Sequence, residues 1–233
     1  MSTLKHYDPY SRHIYTDQRR LYSVNDLQYP SVSAILNTSR TTKQKEWQRN
    51  ANPTQAMERG SLFHAVVEHH FRGSNDPVLN ELASVQRAKV LLFWESVQEV
   101  FPRISDIQLI ESAVWHEVGH YAGTVDMLAS FDKIPVILDW KTTDKVSKQM
   151  NCTRYRLQLS AYAGAINRMY KTKIRHGVIV LVSPTEAQVL KISLNDYWSP
   201  WLVRVIGYWQ QQGTQQSEQV LEMIRAEYDF IEF

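Results

Sequence analysis

Apolar and polar positions along the chain change period several times, and each change marks an element. From Pro53, TQAMERGSLFHAVVEHHF reads as a helix closing near Gly73, a residue suited to a helix C-terminus. Val90, Phe93, Trp94, Val97 and Phe101 recur at helical spacing and predict a second helix over 78–101. Three strand-like runs follow at 107–118, 121–131 and 134–141, the last two joined by a turn holding Asp132 and Lys133 before Pro135. Leu159, Tyr162, Ala163, Ile166 and Tyr170 form one stripe, which predicts a helix over 152–170. HGVIVLVSP (176–184) and AQVLKISL (187–194) read as two more strands, and 196–230 as one or two helices. Residues 1–29 are polar and aromatic without a clear period, an arm or irregular strand. PSVSAIL (30–36) suggests a short helix with Ser31 or Ser33 as N-cap, and 41–54 is polar and basic, a short helix or a loop. This order predicts a single α/β (α+β) domain over 1–233, with 1–29 as an arm, 54–194 as the core and 195–233 as C-terminal helices.

With 233 residues the chain can bury a sizeable core, and 43% apolar with 21% charged content makes wholesale disorder an unsuitable description. A net charge of +2 gives no overall pull towards nucleic acid, so any such pull has to be local. Cys152 is the single cysteine, which excludes an internal disulfide, an iron–sulfur cluster and a Cys-rich zinc site, and suits a reducing, intracellular setting. No secretory signal is visible, and Asp8, Asp17 and Asp26 make the N-terminal segment a poor transit peptide. No run approaches about 18 consecutive apolar residues, so no membrane contact is expected. The expected location is cytoplasmic, in a bacterial or phage-infected cell.

The stretch GTVDMLASFDKIPVILDWKTT (123–143) carries the candidate chemistry. Strand alternation puts Ile137, Asp139 and Lys141 on one face and Val136, Leu138 and Trp140 on the other. Asp126 lies on the preceding strand, where a hairpin brings it near Asp139. Two carboxylates held together repel and must be neutralised, and a divalent cation such as Mg2+ or Mn2+ does so. A lysine beside such a metal can orient a water or stabilise charge growing on a phosphate. A bare Asp-x-Lys equally suits a strand-end salt bridge.

Three more features bear on that choice. Gly60 and His64 are four apart on one helical face, Gly60 suggesting close backbone approach and His64 a metal ligand or a partly buried histidine. Arg154, Gln158 and Tyr162 lie on one line of a helix, a face able to bind phosphates or simply a helix surface. Glu111 interrupts IQLIESAVW on a face shared with Leu109, Ala113 and Trp115, half buried beside the acids or paired with an arginine.

In order, G-x-x-x-H (Gly60, His64), Glu111 on a strand, G-x-x-D (Gly123, Asp126), D-x-K (Asp139, Lys141) and Q-x-x-x-Y (Gln158, Tyr162) resemble the RecB-type branch of the PD-(D/E)XK nuclease superfamily. PSVSAIL, the segment around Trp47 and Arg49, and ERGSLFH resemble, within it, the mitochondrial genome maintenance exonuclease family and its bacterial and phage relatives. The resemblance covers roughly residues 29 to 185, with Val125-Asp126 standing for the PD motif, a departure common in this branch. It implies a restriction-endonuclease-like core: a central mixed sheet flanked by helices, with N-terminal and helical additions. It also implies metal-dependent phosphodiester hydrolysis. His64, Asp126, Asp139 and the Trp140 carbonyl would ligate Mg2+ or Mn2+, and Lys141 would position or activate the attacking water. Gln158 and Tyr162 would hold the DNA backbone or orient Lys141, and Glu111 would support the site or bind a second metal through water. Relatives with an iron–sulfur cluster need four cysteines, and helicase-fused relatives need G-x-x-x-x-G-K-[ST]; neither occurs here.

Local charge suits a polyanion. Residues 142–176 hold eight basic side chains (Lys145, Lys148, Arg154, Arg156, Arg168, Lys171, Lys173 and Arg175) against one acid, Asp144. Arg154, Arg59 and Lys145, with Gln158 and Tyr162, are the candidate DNA contacts, and Trp47, Tyr155 and the aromatic arm are candidates for stacking on unpaired bases. The helix at 78–101 suggests an arch over the cleft. The expected activity is a DNA exonuclease preferring single strands or free ends. The alternatives are a structure-specific endonuclease of the same superfamily and a non-catalytic DNA-binding module.

Overall fold

A computed structural model describes residues 21–24, 27–38, 53–73, 84–147 and 152–227. Trp47, Arg49, Lys148, residues 1–20 of the expected arm and the first turn of the helix expected from 78 lie outside them. Strands β1 (Leu21–Val24) and β2 (Leu27–Pro30) pair as a small antiparallel hairpin before helix α1 (Val32–Thr38). Ser31 caps α1, its Oγ accepting the Ala34 N–H at 3.0 Å. Helix α2 (Pro53–Phe71) is followed by Gly73 at φ +67, a left-handed value that glycine adopts without steric cost. Helix α3 spans Ser84–Val97.

The central sheet begins with an antiparallel meander of β3 (Ile104–His116), β4 (Tyr121–Phe131) and β5 (Ile134–Thr142). Asp132 and Lys133 join β4 to β5 with φ +50 and +68, the two-residue turn whose twist matches that of the strands. Helix α4 (Thr153–Tyr170) crosses over to β6 (His176–Val182), which runs parallel to β5, and β7 (Ala187–Ser193) returns antiparallel. The strand order is β3-β4-β5-β6-β7, a mixed sheet. Helices α5 (Asn195–Gln212) and α6 (Gln215–Glu227) complete the described chain.

Both faces of the sheet are covered, so β5 and β6 are apolar on both sides rather than alternating. Ile137, Ile179 and Leu181 join a core with α1, α4, α5 and α6. Val136, Leu138, Trp140, Val178 and Val180 pack with Phe63 and Val67 of α2 and Phe93 and Val97 of α3. Each such side chain contributes roughly 1.5–3 kcal/mol when fully buried. Helix α3 belongs to this second layer: Phe93 lies 6.4 Å ring to ring from Phe63, and Ser96 Oγ donates to the Ser183 carbonyl at 2.7 Å. Its described part covers the sheet rather than arching over the cleft, because its apolar stripe is buried against α2 and β6. Among the described residues no helix is long and apolar enough to cross a membrane.

Candidate active site

The site begins with a fault in strand alternation. On β4, Met127, Ala129 and Phe131 pack towards α2 and α3 and Leu128 towards α4. Strict alternation would put Val125 with Met127, yet Val125 joins Leu128. On β3, Leu109 and Val114 likewise share the α4-side core although they stand five positions apart, which strict alternation would put on opposite faces. Both strands slip at one rung, Glu111 opposite Asp126, while the register on either side (Ile110 with Met127, Ser112 with Val125) is unchanged. Glu111 adopts φ +44 there, a left-handed value that costs a residue with a Cβ about 1–2 kcal/mol. The Ile110 carbonyl beside it accepts from Ser112 Oγ at 2.9 Å and from Arg72 Nη2 at 3.3 Å, so the slip leaves that backbone group satisfied.

At the same level β4 parts from β5. Their ladder ends at Met127 with Leu138, and its continuation would face Trp140 with Val125. The N–H and carbonyl of one strand residue point to the same side, so both groups of Trp140 open into the gap. Asp126 Oδ2 accepts the N–H at 2.9 Å, and His64 Nε2 on α2 meets the carbonyl at 3.0 Å. The other ring nitrogen of His64 lies 3.1 Å from Glu111 Oε1 and 3.6 Å from Asp126 Oδ2. Acceptors at both nitrogens suit the imidazolium form. Burial pulls His64 down, but the Asp126 charge and then the Glu111 hydrogen bond raise it to about 9.

Asp139 is 1% exposed, and Lys141 Nζ lies 2.6 Å from its carboxylate. Nζ donates to Oδ1 and pairs with Oδ2 at the same 2.6 Å, and among the described residues Oδ2 has no hydrogen-bond donor. Burial pushes the Asp139 carboxyl up, Lys141 draws it down and Asp126 raises it again, leaving it at about 6. Burial lowers the Lys141 ammonium, yet the charges of Asp139 and Asp126 more than compensate and hold it above the ordinary lysine value. Three carboxyls, one imidazole and one ammonium therefore converge.

These groups fit a hard divalent cation. The donor atoms of His64, Glu111 and Asp126 lie within 4.8 Å of one another, the Trp140 carbonyl faces the same imidazole, and Asp139 Oδ2 is short of a donor. Oxygen ligands with one imidazole nitrogen suit Mg2+ or Mn2+. The family model of the PD-(D/E)XK nuclease superfamily matches residues 38–231. The chain belongs to that superfamily.

Members of this superfamily use divalent metal ions. Three curated relatives carry the name mitochondrial genome maintenance exonuclease 1. The mouse protein (Mus musculus) is 34% identical over 128 residues, which cover 52% of this chain and 38% of the relative. The human protein (Homo sapiens) is 33% identical over 124 residues, 50% of this chain and 36% of the relative. The matched stretch thus spans little more than a third of each relative's length. These names are those of mitochondrial proteins, and they lend no support to the bacterial or phage setting expected from the sequence.

Of the expected PD-(D/E)XK metal ligands, His64, Asp126 and the Trp140 carbonyl come together, and Glu111 completes the three-residue cluster where Asp139 was expected. Asp139 instead holds Lys141, a strand-mate two residues away. Glu111 does not simply share a face with Leu109, Ala113 and Trp115, because its left-handed backbone resets the alternation. Among the described residues Gly60 makes no close approach: a Cβ there would meet only Thr142 Oγ1, at 3.7 Å. Gly123 does, since a Cβ would lie 2.5 Å from the Tyr162 ring.

The expected DNA contacts divide. Arg154 is committed to α1, its guanidinium donating to the Leu36 carbonyl and to Asn37 Oδ1, each at 2.9 Å. It caps that helix C-terminus, so the guanidinium expected to contact phosphate is engaged within the fold. Tyr162 is buried over Gly123, and its hydroxyl accepts from Gln158 Nε2 at 2.9 Å; neither side chain is hydrogen-bonded to Lys141. Arg59 pairs with Asp144, and Lys145 is exposed. Arg156 reaches the Tyr197 hydroxyl and Arg168 binds Glu117 and Glu227, so the basic cluster is partly consumed within the fold. Three contacts were absent from the sequence reading: Tyr155, whose ring centroid is 5.3 Å from Lys141 Nζ, Arg72 behind Glu111, and Tyr22, whose hydroxyl meets Thr124 Oγ1 at 3.1 Å.

Proposed function

We propose that this protein is a Mg2+- or Mn2+-dependent deoxyribonuclease that works as an exonuclease on single strands or free ends. The observation that carries the reading is the convergence of Glu111, Asp126, Asp139, His64 and Lys141 where β4 parts from β5. A divalent ion bound there would neutralise the carboxylates and polarise the scissile phosphate. Asp126 and Asp139 would hold it with His64 and the Trp140 carbonyl, while Glu111 binds directly or through water. Lys141, kept charged by its neighbours, orients the attacking water and stabilises charge on the phosphoryl oxygens. Gln158, Arg59 and Lys145 remain the candidate contacts to the DNA backbone. The exonuclease mode is supported by the relatives' names, and the single-strand preference by the family resemblance. We read the described chain as one domain, because Trp201, Val205, Val220 and Ile224 of the C-terminal helices share the α4-side core. The single cysteine supports an intracellular setting.

The test is cleavage of end-labelled single-stranded DNA, linear and circular, in Mg2+, Mn2+ or EDTA, by wild type and Lys141→Ala. Metal-dependent loss of the linear strand alone, absent in the variant, is expected. Cleavage of the circle would make the enzyme an endonuclease. Salt-sensitive binding without cleavage would make it a DNA-binding module.

A further inference from the structure

We propose that Tyr155 is the positioning residue for Lys141: its ring face holds the ammonium against Asp139 and leaves one N–H direction for the water or phosphate. The inference rests on the nuclease reading above and assigns a role that Gln158 and Tyr162 were expected to fill. Those two are hydrogen-bonded to each other, and their partners do not include Lys141. Tyr155 stands one turn earlier on α4, with its ring centroid 5.3 Å from Nζ.

A lysine carries four rotatable carbons and three N–H donors, so a single carboxylate fixes its distance but not its direction. Asp139 takes one donor at 2.6 Å. Asp139 also lies only two residues away on the same strand, so that pair alone permits the ammonium to swing about the Asp139 oxygens. An aromatic face attracts a cation through its quadrupole, most strongly where water is excluded. The Lys141 side chain is only 20% exposed, and the Tyr155 ring packs against the α4-side core, so the ring is itself fixed. Asp139 on one side and Tyr155 on the other thus define the ammonium's direction. The force is electrostatic and belongs to the ring, so the hydroxyl is dispensable.

The experiment compares wild type, Tyr155→Phe, Tyr155→Leu and a series of phenylalanines at 155 bearing one, two and three ring fluorines, which drain the quadrupole at nearly constant shape. Expected results are turnover within about twofold of wild type for Phe, an about tenfold lower kcat for Leu, and a stepwise fall along the fluorine series, with KM for a short oligonucleotide and Mg2+ affinity unchanged. The Lys141 ε-methylene protons should show a ring-current shift in wild type and Phe that Leu abolishes. A flat fluorine series, or a loss confined to KM, would overturn the proposal, as would a ring-current shift that survives in Tyr155→Leu. A wild type that cleaves no DNA would overturn the nuclease reading itself, before any variant is compared.

Discussion

The β4–β5 hairpin carries an aspartate ion-paired to a lysine at each end, and the two pairs behave oppositely. At the turn, Asp132 accepts from Arg103 at 2.7 Å and from Lys191 at 2.8 Å, in the open. Those hydrogen bonds hold its carboxyl well below the usual carboxylate range. At the far end Asp139 meets Lys141 at 2.6 Å, a comparable geometry, and its carboxyl is pushed up to about 6. Burial and the neighbouring Asp126 make the difference. An exposed carboxylate with two cations is content and clamps a turn. A buried one with a like charge beside it still lacks positive charge, and that shortfall is what a metal site requires.

Removing each pair in turn tests the contrast most strongly. Asp139→Ala or Lys141→Ala should lower cleavage by about a thousandfold or more with the fold retained by circular dichroism. Asp132→Ala should leave cleavage unchanged; equal losses at both ends would dissolve the distinction.

The next effect concerns pH. His64 is raised from 6.5 to about 9 and Asp139 from 3.8 to about 6. Both groups hold a proton more tightly when folded, so each stabilises the fold fully below its ordinary value and loses that contribution as pH rises through its folded value. Thermal unfolding in EDTA should therefore show falling stability from about pH 4 to about pH 9, and Mg2+ should restore more at about pH 8.5 than at about pH 6. His64→Gln should flatten the upper part of that curve; an unaltered curve would remove His64 as its cause. Smaller still is the effect of Arg72→Ala, which takes a donor from the Ile110 carbonyl behind the Glu111 slip. Mg2+ affinity, measured by calorimetry, should drop about tenfold. Gly60→Ala should give the smallest change, a gain of about 0.5–1 kcal/mol in denaturant unfolding, because among the described residues its Cβ meets no obstacle and alanine favours a helix. Reduced turnover at unchanged stability would instead mean that substrate passes over Gly60.

Much of this was legible in the chain. The apolar run before Asp139, the Asp132–Lys133 turn and the stripe through Leu159 and Ile166 are local signals, and local signals set periodicity. Asp126 and Asp139 could be placed together because a tight hairpin leaves little freedom of register. The Glu111 slip could not be read, since nothing in a glutamate announces a left-handed backbone; the neighbouring strand imposes it. Arg154 is the converse case. Its place on the Gln158–Tyr162 line was correct as geometry, but the C-terminus of α1, over a hundred residues away, claims its guanidinium. The ring of Tyr155 found Lys141 by the same kind of long-range meeting.

Trp140 has a consequence of its own. Its backbone binds Asp126 and faces His64, while its indole packs into the α2–α3 layer, 6.3 Å from the Phe63 ring and 6.0 Å from that of Phe101. The residue works as a rivet between the sheet and that layer, with its backbone at the site and its indole among the aromatic rings. Phe63 and His64 are chain neighbours on α2, so the rivet and the imidazole share an anchorage. Substitutions at Phe101 or Phe63, neither of which is a candidate metal ligand or phosphate contact, would loosen the carbonyl that faces His64. The centre is thus adjustable from behind, through aromatic packing alone.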